Sequence, residues 1–327
     1  MFNNQRILIT GGTGSWGTEI TRQLLEKYDP KEIIVYSRGE FAQVEMDRSF
    51  KNSKLKFVIG DVVNLETLSS AMRDIDIVFH LAALKHVPVC ESNPWQSIST
   101  NILGTHNVVK AAINHKVKLV VDCSSDKACA PVNMYGMCKA IGEKLMIHGN
   151  LEITDTKFVC TRAGNVMGTR GSVIPFFKEL IEKGEDLPIT DFDMTRYYMK
   201  IDEAIGLLFG AAERCTGGEI FVTKMPACKI TDLAEVMIEE LGGTSKLKEI
   251  GIRPGEKLHE DLISEFEAKD TIVFDDHYYL ILPQQDINGL EAKFKDFKKF
   301  DGTKYSSNYK LMGKDEIRDK LREGGFI

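Results

Sequence analysis

The run Arg6-Ile7-Leu8-Ile9-Thr10, followed at once by Gly11-Gly12-Thr13-Gly14-Ser15-Trp16-Gly17, constrains this chain more than any other segment. Ile20, Leu24 and Leu25 then recur at helical spacing, so the segment reads as strand, glycine turn, helix. Gly11, Gly14 and Gly17 stand three apart, which lets the backbone turn tightly, approach a pyrophosphate and present the first N–H groups of a helix to it. Four further strand-like runs follow: Glu32-Ile33-Ile34-Val35-Tyr36, Lys56-Phe57-Val58-Ile59, Ile75-Asp76-Ile77-Val78-Phe79 and Lys118-Leu119-Val120-Val121. Helical lengths separate them, as right-handed parallel crossovers require.

The expected fold is therefore α/β, a Rossmann-type doubly wound parallel sheet carrying a smaller C-terminal α/β substrate lobe. With 327 residues, 43% of them hydrophobic, the chain can build two lobes. Residues 1–170 are assigned to the dinucleotide-binding domain, with about 196–225 returning to it; 171–195 and 226–327 are assigned to the second lobe. The tail from Ser264 carries mixed charge and aromatics without a repeat, and packing against that lobe is all its sequence suggests. A net charge of -6 offers no general basic field, which excludes nucleic acid as the main partner. There is no stretch of 18 apolar residues and no N-terminal cationic segment with a cleavage site, so a soluble, cytoplasmic protein with no membrane partner is expected. Seven cysteines without C-x-x-C or Cys/His zinc spacing read as reduced thiols, and no metal site is expected.

The second strand run ends at Ser37 and Arg38, where an NAD-selective site commonly offers a carboxylate to the ribose. A hydroxyl and a guanidinium favour a 2′-phosphate, so NADP is expected, with NAD as the alternative because Glu40 lies close by. Asp61 falls at a strand end, and Ala82 and Ala83 are small enough for a cofactor to lie against the chain. The residues expected to hold the dinucleotide are Gly11, Thr13, Gly14, Ser15, Trp16, Gly17, Ser37, Arg38, Asp61, Val62, Ala82 and Ala83, joined by Tyr135 and Lys139.

After Val121 the chain reads Asp122-Cys123-Ser124-Ser125-Asp126-Lys127, placing polar side chains at the carboxyl end of a central strand, where open α/β sheets bind ligands. Tyr135 and Lys139 are four apart and share a helical face, and an ammonium beside a phenol lowers its pKa toward working pH. Two proton-transfer systems are thus expected beside one cofactor.

Together, Tyr36-Ser37-Arg38, Ala82-Ala83-Leu84-Lys85-His86-Val87-Pro88, Ser125-Asp126-Lys127-Ala128, Tyr135-Gly136-x-x-Lys139 and Gly251-Ile252-Arg253-Pro254-Gly255-Glu256-Lys257 carry a resemblance that spans most of the chain. It resembles the extended short-chain dehydrogenase/reductase superfamily, and within it the soluble UDP-N-acetylglucosamine 4,6-dehydratases, including the inverting type that opens pseudaminic acid biosynthesis. Two positions depart from that pattern: Ser125 stands where the family commonly has Thr, and Cys129-Ala130-Pro131 stands where Asn-Pro is usual.

The resemblance implies a UDP-N-acetylhexosamine substrate, a tightly bound cofactor regenerated in each turnover, and a homo-oligomer, dimer or hexamer. It implies that Tyr135, activated by Lys139 and aided by Ser125, takes the sugar O4 proton during oxidation at C4. Lys127 as a neutral amine then removes H5, and Asp126 protonates the departing 6-hydroxyl. Lys127 would serve equally in a dedicated 5-epimerase of a UDP-linked 4-keto-6-deoxy sugar, so dehydratase and epimerase both stand, and a non-catalytic dinucleotide-binding sensor is the remote third reading. Asn165 resembles a substrate diphosphate contact, Arg196 and Arg253 are guanidinium candidates for the diphosphate, and Glu256 is expected at the ribose. Lys85 is expected to face the pocket, and Val173 and Thr190 belong to the segment under which the substrate is expected to lie.

Overall fold

In the computed structural model, which describes residues 1–327 except 153, 154, 170 and 288, a nine-stranded sheet forms the centre. Its strands are β1 (Arg6–Thr10), β2 (Glu32–Ser37), β3 (Leu55–Ile59), β4 (Ile77–His80), β5 (Leu119–Cys123), β6 (Lys157–Arg162), β7 (Ile220–Thr223), β8 (Thr271–Val273) and β9 (Tyr278–Ile281). They lie in the order β8-β9-β7-β6-β5-β4-β1-β2-β3. From β3 to β7 all pairings are parallel, whereas β9 runs antiparallel to both β7 and β8. The unbroken apolar runs in β1, β2 and β4 follow from this position: Ile7, Leu8, Ile9, Val35 and Phe79 are fully buried because helices cover both faces.

The chain leaves β1 outward to β2 and β3, then crosses back to β4 on the other side. That reversal puts a crevice between the carboxyl ends of β1 and β4, where such sheets bind ligands. Helix Ser15–Lys27 packs against helix Ile201–Arg214, and Phe2, Tyr28, Phe79 and Phe209 close the bottom of this layer with ring centroids 4.8 to 6.0 Å apart.

A second core lies beyond β6. Ile174, Phe177 and Ile181 form the buried stripe of helix Val173–Glu182, and they meet Leu233, Val236 and Met237 from helix Ile230–Leu241. Strand Thr195–Met199 joins the lobes, pairing with Asn165–Val166 on one side and Ala227–Lys229 on the other. The tail divides: Thr271–Ile281 extends the large sheet as an antiparallel hairpin, and helix Lys314–Glu323 inserts Ile317 and Leu321 into the second core. Strand patterning alone does not show this division, because β8 and β9 span three and four residues and carry no alternation. Among the described residues no helix is long and apolar enough to cross a membrane.

Candidate functional site

A cleft of about 930 Å³ runs along the carboxyl ends of β1, β2, β4 and β5. The glycine turn forms its floor. Gly11 sits at φ +66°, where a side chain is strained, and a Cβ there would lie 2.9 Å from the Ala82 backbone, so the β1 turn and the Ala82-Ala83 segment close against each other. Gly14 caps helix Ser15–Lys27 with no side chain on the cap, which leaves the first-turn N–H groups of Ser15, Trp16 and Gly17 facing outward to an anion. This arrangement fits the pyrophosphate of a dinucleotide.

At the β2 end the Ser37 hydroxyl accepts from Gln43 Nε2 at 2.9 Å, and Arg38, 61% exposed, comes within 3.7 Å of Asp61 Oδ2. Thr13, Gly14, Trp16, Ser37, Arg38, Asp61, Val62, Ala82 and Ala83 all line the cleft, as do Gly11, Ser15 and Gly17. Of the sugar-side residues, Lys85, Asn165 and Val173 line it as well. Burial lowers the Lys85 amine from its ordinary range.

The chemistry-bearing end is built by β5 and the helix that follows it. Ser125, Asp126, Lys127 and Tyr135 converge there on the cleft. Gly136 makes this convergence possible, since a Cβ at that position would collide with the Lys127 carbonyl. Helix Met134–Gly149 therefore packs directly on the Asp126–Ala128 turn, capped by Asn133, whose Oδ1 accepts from the Gly136 N–H at 2.8 Å. Lys139 lies beneath Tyr135 rather than on the cleft surface, and its Nζ is 3.4 Å from Asp122 Oδ2, both groups being buried. Burial favours the neutral amine of Lys139, but Asp122 and Tyr135 outweigh it and raise its pKa.

The phenol of Tyr135 behaves differently from the simple expectation. Burial raises its pKa, and the opposing pull of Lys139, of a hydrogen bond with Ser125 and of Lys127 offsets this only in part. The ammonium does act in the expected direction; desolvation, invisible in a four-residue spacing, is the larger influence.

Lys127 also differs from the neutral amine anticipated. Its Nζ is 3.1 Å from Asp126 Oδ1 and 3.3 Å from Glu260 Oε1. Burial pulls its pKa down most strongly of the individual influences, yet the two carboxylates together raise it, so the resting group is an ammonium. The same Asp126 oxygen accepts from the Ser125 hydroxyl at 2.8 Å.

Thr190, Arg196, Arg253 and Glu256 are not among the described residues lining the cleft. The buried Arg196 guanidinium donates to the carbonyls of Thr195, Lys257 and Leu258 at 2.7 to 3.1 Å. Arg253 lies on an exposed loop, tied to Glu256 by backbone and side-chain hydrogen bonds, and Thr190 follows the short strand Leu187–Ile189 of the second lobe. That loop is anchored to helix Met134–Gly149 through its cap residue Asn133, whose Nδ2 donates to the Gly255 carbonyl at 2.7 Å.

Two acidic residues of the site escape the sequence reading. Asp122 appears there only as part of a polar run, and Glu260 not at all. The signal for Asp122 is its place one pleat before the strand end, facing the helix; for Glu260 no local signal exists, because it meets Lys127 only through tertiary folding.

The chain matches the model of the family described as polysaccharide biosynthesis protein over residues 7–282. It is 46% identical over 318 residues to the UDP-N-acetylglucosamine 4,6-dehydratase (inverting) of Campylobacter jejuni subsp. jejuni serotype O:23/36 strain 81-176, covering 94% of each chain. It is also 42% identical over 293 residues to a UDP-glucose 4-epimerase of Rickettsia canadensis, covering 88% of this chain and 86% of that one. The crystal structure of Pen from Bacillus thuringiensis superimposes with a TM-score of 0.92 at 37% identity, covering 100% of this chain and 99% of Pen. With the glycine turn, Tyr135 and the strand-end acid and lysine all assembled in one cleft, the chain belongs to the polysaccharide biosynthesis protein family, on the extended short-chain dehydrogenase/reductase fold.

Proposed function

We propose that this protein is a UDP-N-acetylglucosamine 4,6-dehydratase that also epimerises C5. One observation carries the reading: the Ser125/Tyr135 hydroxyls and the Asp126/Lys127 pair share one cleft with a helix N-terminus suited to a dinucleotide. A nicotinamide dinucleotide held by the glycine turn would supply reversible redox chemistry, oxidising C4 and later reducing C6. Tyr135 takes the O4 proton, with Ser125 holding the oxygen and Lys139 below favouring the phenolate. The 4-ketone acidifies H5, and Lys127 removes it.

Lys127 rests as an ammonium, so its proton must first move, and Asp126 is 3.1 Å away to receive it. The shifted tautomer, with a neutral amine beside a carboxylic acid, is the base and acid that elimination needs. Lys127 takes H5, the C5 electrons form the double bond, and Asp126 protonates the leaving 6-hydroxyl as water. Inversion at C5 then requires a proton delivered to the face opposite the one that Lys127 deprotonated.

NMR of the product formed from UDP-N-acetylglucosamine in deuterated water tests this. A 4-keto-6-deoxy sugar with deuterium at C5 is expected. Unchanged substrate together with C5 exchange on a supplied 4-keto-6-deoxy sugar would instead identify a dedicated 5-epimerase, and a product changed only at C4 would identify a 4-epimerase.

NADP is the proposed form of the cofactor, because Ser37 and Arg38 stand at the end of β2 and the Arg38 fork is exposed at the cleft. Losing a charge-assisted contact of about 1.5–3 kcal/mol, Arg38→Ala should weaken NADP binding by about 10- to 100-fold. NAD binding should change much less, as read by fluorescence titration of the two cofactors. Equal losses for both would refute the 2′-phosphate role.

A further inference from the structure

Behind Lys127, on the side away from the cleft, stands Glu260. It arrives from the segment before strand Asp261–Ile263, which packs against the Asp126–Ala128 turn. Only 3% of Glu260 is exposed, and its backbone is pinned at both ends: its N–H donates to Ser307 Oγ at 3.0 Å and its carbonyl accepts from the Ser307 N–H at 2.8 Å. Its Oε1 faces Lys127, and Arg196 Nε approaches the same oxygen at 3.9 Å. Its Oε2 is buried without a hydrogen-bond partner, as is Oδ2 of Asp126. A buried carboxylate left half unsatisfied in this way is costly. Structural stability alone does not account for it.

We propose that Glu260 is a positioning residue for the C5 step: it anchors the Lys127 amine from behind, beside Asp126 at the wall of the cleft, and steadies the positive charge that Lys127 acquires as it takes the proton. This inference rests on the dehydratase reading above. The charged or titratable groups facing Lys127 are Asp126 from its own turn, Glu260 from the segment before strand Asp261–Ile263, Arg196 from strand Thr195–Met199, and Tyr135 from helix Met134–Gly149. Their jobs divide. Asp126 gives and takes the proton, so its charge changes during the step; Glu260 exchanges no proton with the substrate and, with Asp126, raises the Lys127 pKa, which makes the amine a stronger base for a weakly acidic C–H. Arg196, fixed by three backbone carbonyls, flanks Glu260 at 3.9 Å and limits its swing.

The test is deuterium uptake at C5 of a UDP-linked 4-keto-6-deoxy-N-acetylhexosamine, followed by NMR against pH for wild type and Glu260→Gln holoenzymes. This substrate bypasses oxidation at C4, so Tyr135 chemistry does not mask the result. Removing the carboxylate charge should slow exchange per neutral Lys127 amine, the rate corrected for the fraction deprotonated, on the order of tenfold. It should also move the alkaline limb, where the Asp126/Lys127 pair loses its shared proton, to lower pH by about one to three units. Glu260→Asp should return the limb toward the wild-type position. Slower exchange with an unmoved limb would show a merely structural role and overturn the proposal. Should Glu260→Gln not fold, Glu260→Asp decides alone: its shortened reach must slow exchange while keeping the wild-type limb, and a wild-type rate overturns the proposal. A wild-type enzyme that dehydrates UDP-N-acetylglucosamine but shows no such effect sinks this inference only; one inert on both sugars sinks the parent reading and this inference with it.

Discussion

Lys127→Ala should abolish dehydration, lowering turnover by about 10²- to 10⁴-fold, while oxidation at C4 still proceeds when a single turnover is followed by cofactor absorbance at 340 nm. The reason is geometric: Lys127 is the amine that lines the cleft at the Asp126 turn, whereas Lys139 is buried beneath Tyr135 and paired with Asp122. The substitution also removes the cation that both Asp126 and Glu260 approach, and leaves Glu260 with Arg196 alone. Thermal unfolding and bound-cofactor content serve as controls. Normal 4-keto-6-deoxy product from the variant would remove Lys127 from the mechanism.

Arg162→Met should destabilise the fold by about 3–5 kcal/mol, a fall in melting temperature on the order of 10 °C by circular dichroism. Arg162, on β6 and 2% exposed, donates to Glu143 at 2.6 and 2.8 Å, to Glu267 at 2.7 Å and to the Leu262 carbonyl at 3.1 Å. It ties helix Met134–Gly149, the central sheet and the short helix Glu265–Ala268 together. Glu143 also accepts the Ser124 hydroxyl at 2.6 Å, so the network holds the residue next to Ser125. Methionine fills the space but leaves Glu143 uncompensated, and adding Glu143→Gln should recover part of the loss.

The pH dependence has a definite sign. Burial raises the Glu267 carboxyl, but Arg162 and Ser264 outweigh it and hold it down at about 2 against an ordinary 4.5. Its contribution to stability is therefore complete above the ordinary value and is lost as pH falls toward about 2. Arg162→Met should flatten that acid limb. A loss below about 1 kcal/mol would show that the network stabilises little.

Fold class was legible because it depends on local pattern. Apolar runs such as Ile7-Leu8-Ile9 and Ile33-Ile34-Val35 can be satisfied only by strands buried on both faces, and helical lengths between them allow only parallel crossovers. The hairpin Thr271–Ile281 was not legible, since strands this short take their identity from the open edge of β7. Within the site, residues that act through spacing were visible: Gly11, Gly14 and Gly17 at one strand end, Tyr135 above Lys139 on one helix, Ser125 to Lys127 at another strand end.

By itself the sequence determined the crevice and the groups that spacing places in it, from Gly11 to Gly17 and from Ser125 to Tyr135, because backbone turns, helix periodicity and strand ends are properties of adjacent residues; Thr190, Arg196, Arg253 and Glu256, named on other grounds, lie off the cleft. Their charge states were decided only by the tertiary structure. Lys127 reads as a desolvated neutral base until Glu260 is brought within 3.3 Å of it, and Tyr135 reads as activated until its burial is counted. Desolvation and Coulomb interaction act through space, so the proton inventory of the site exists only once the two lobes have packed.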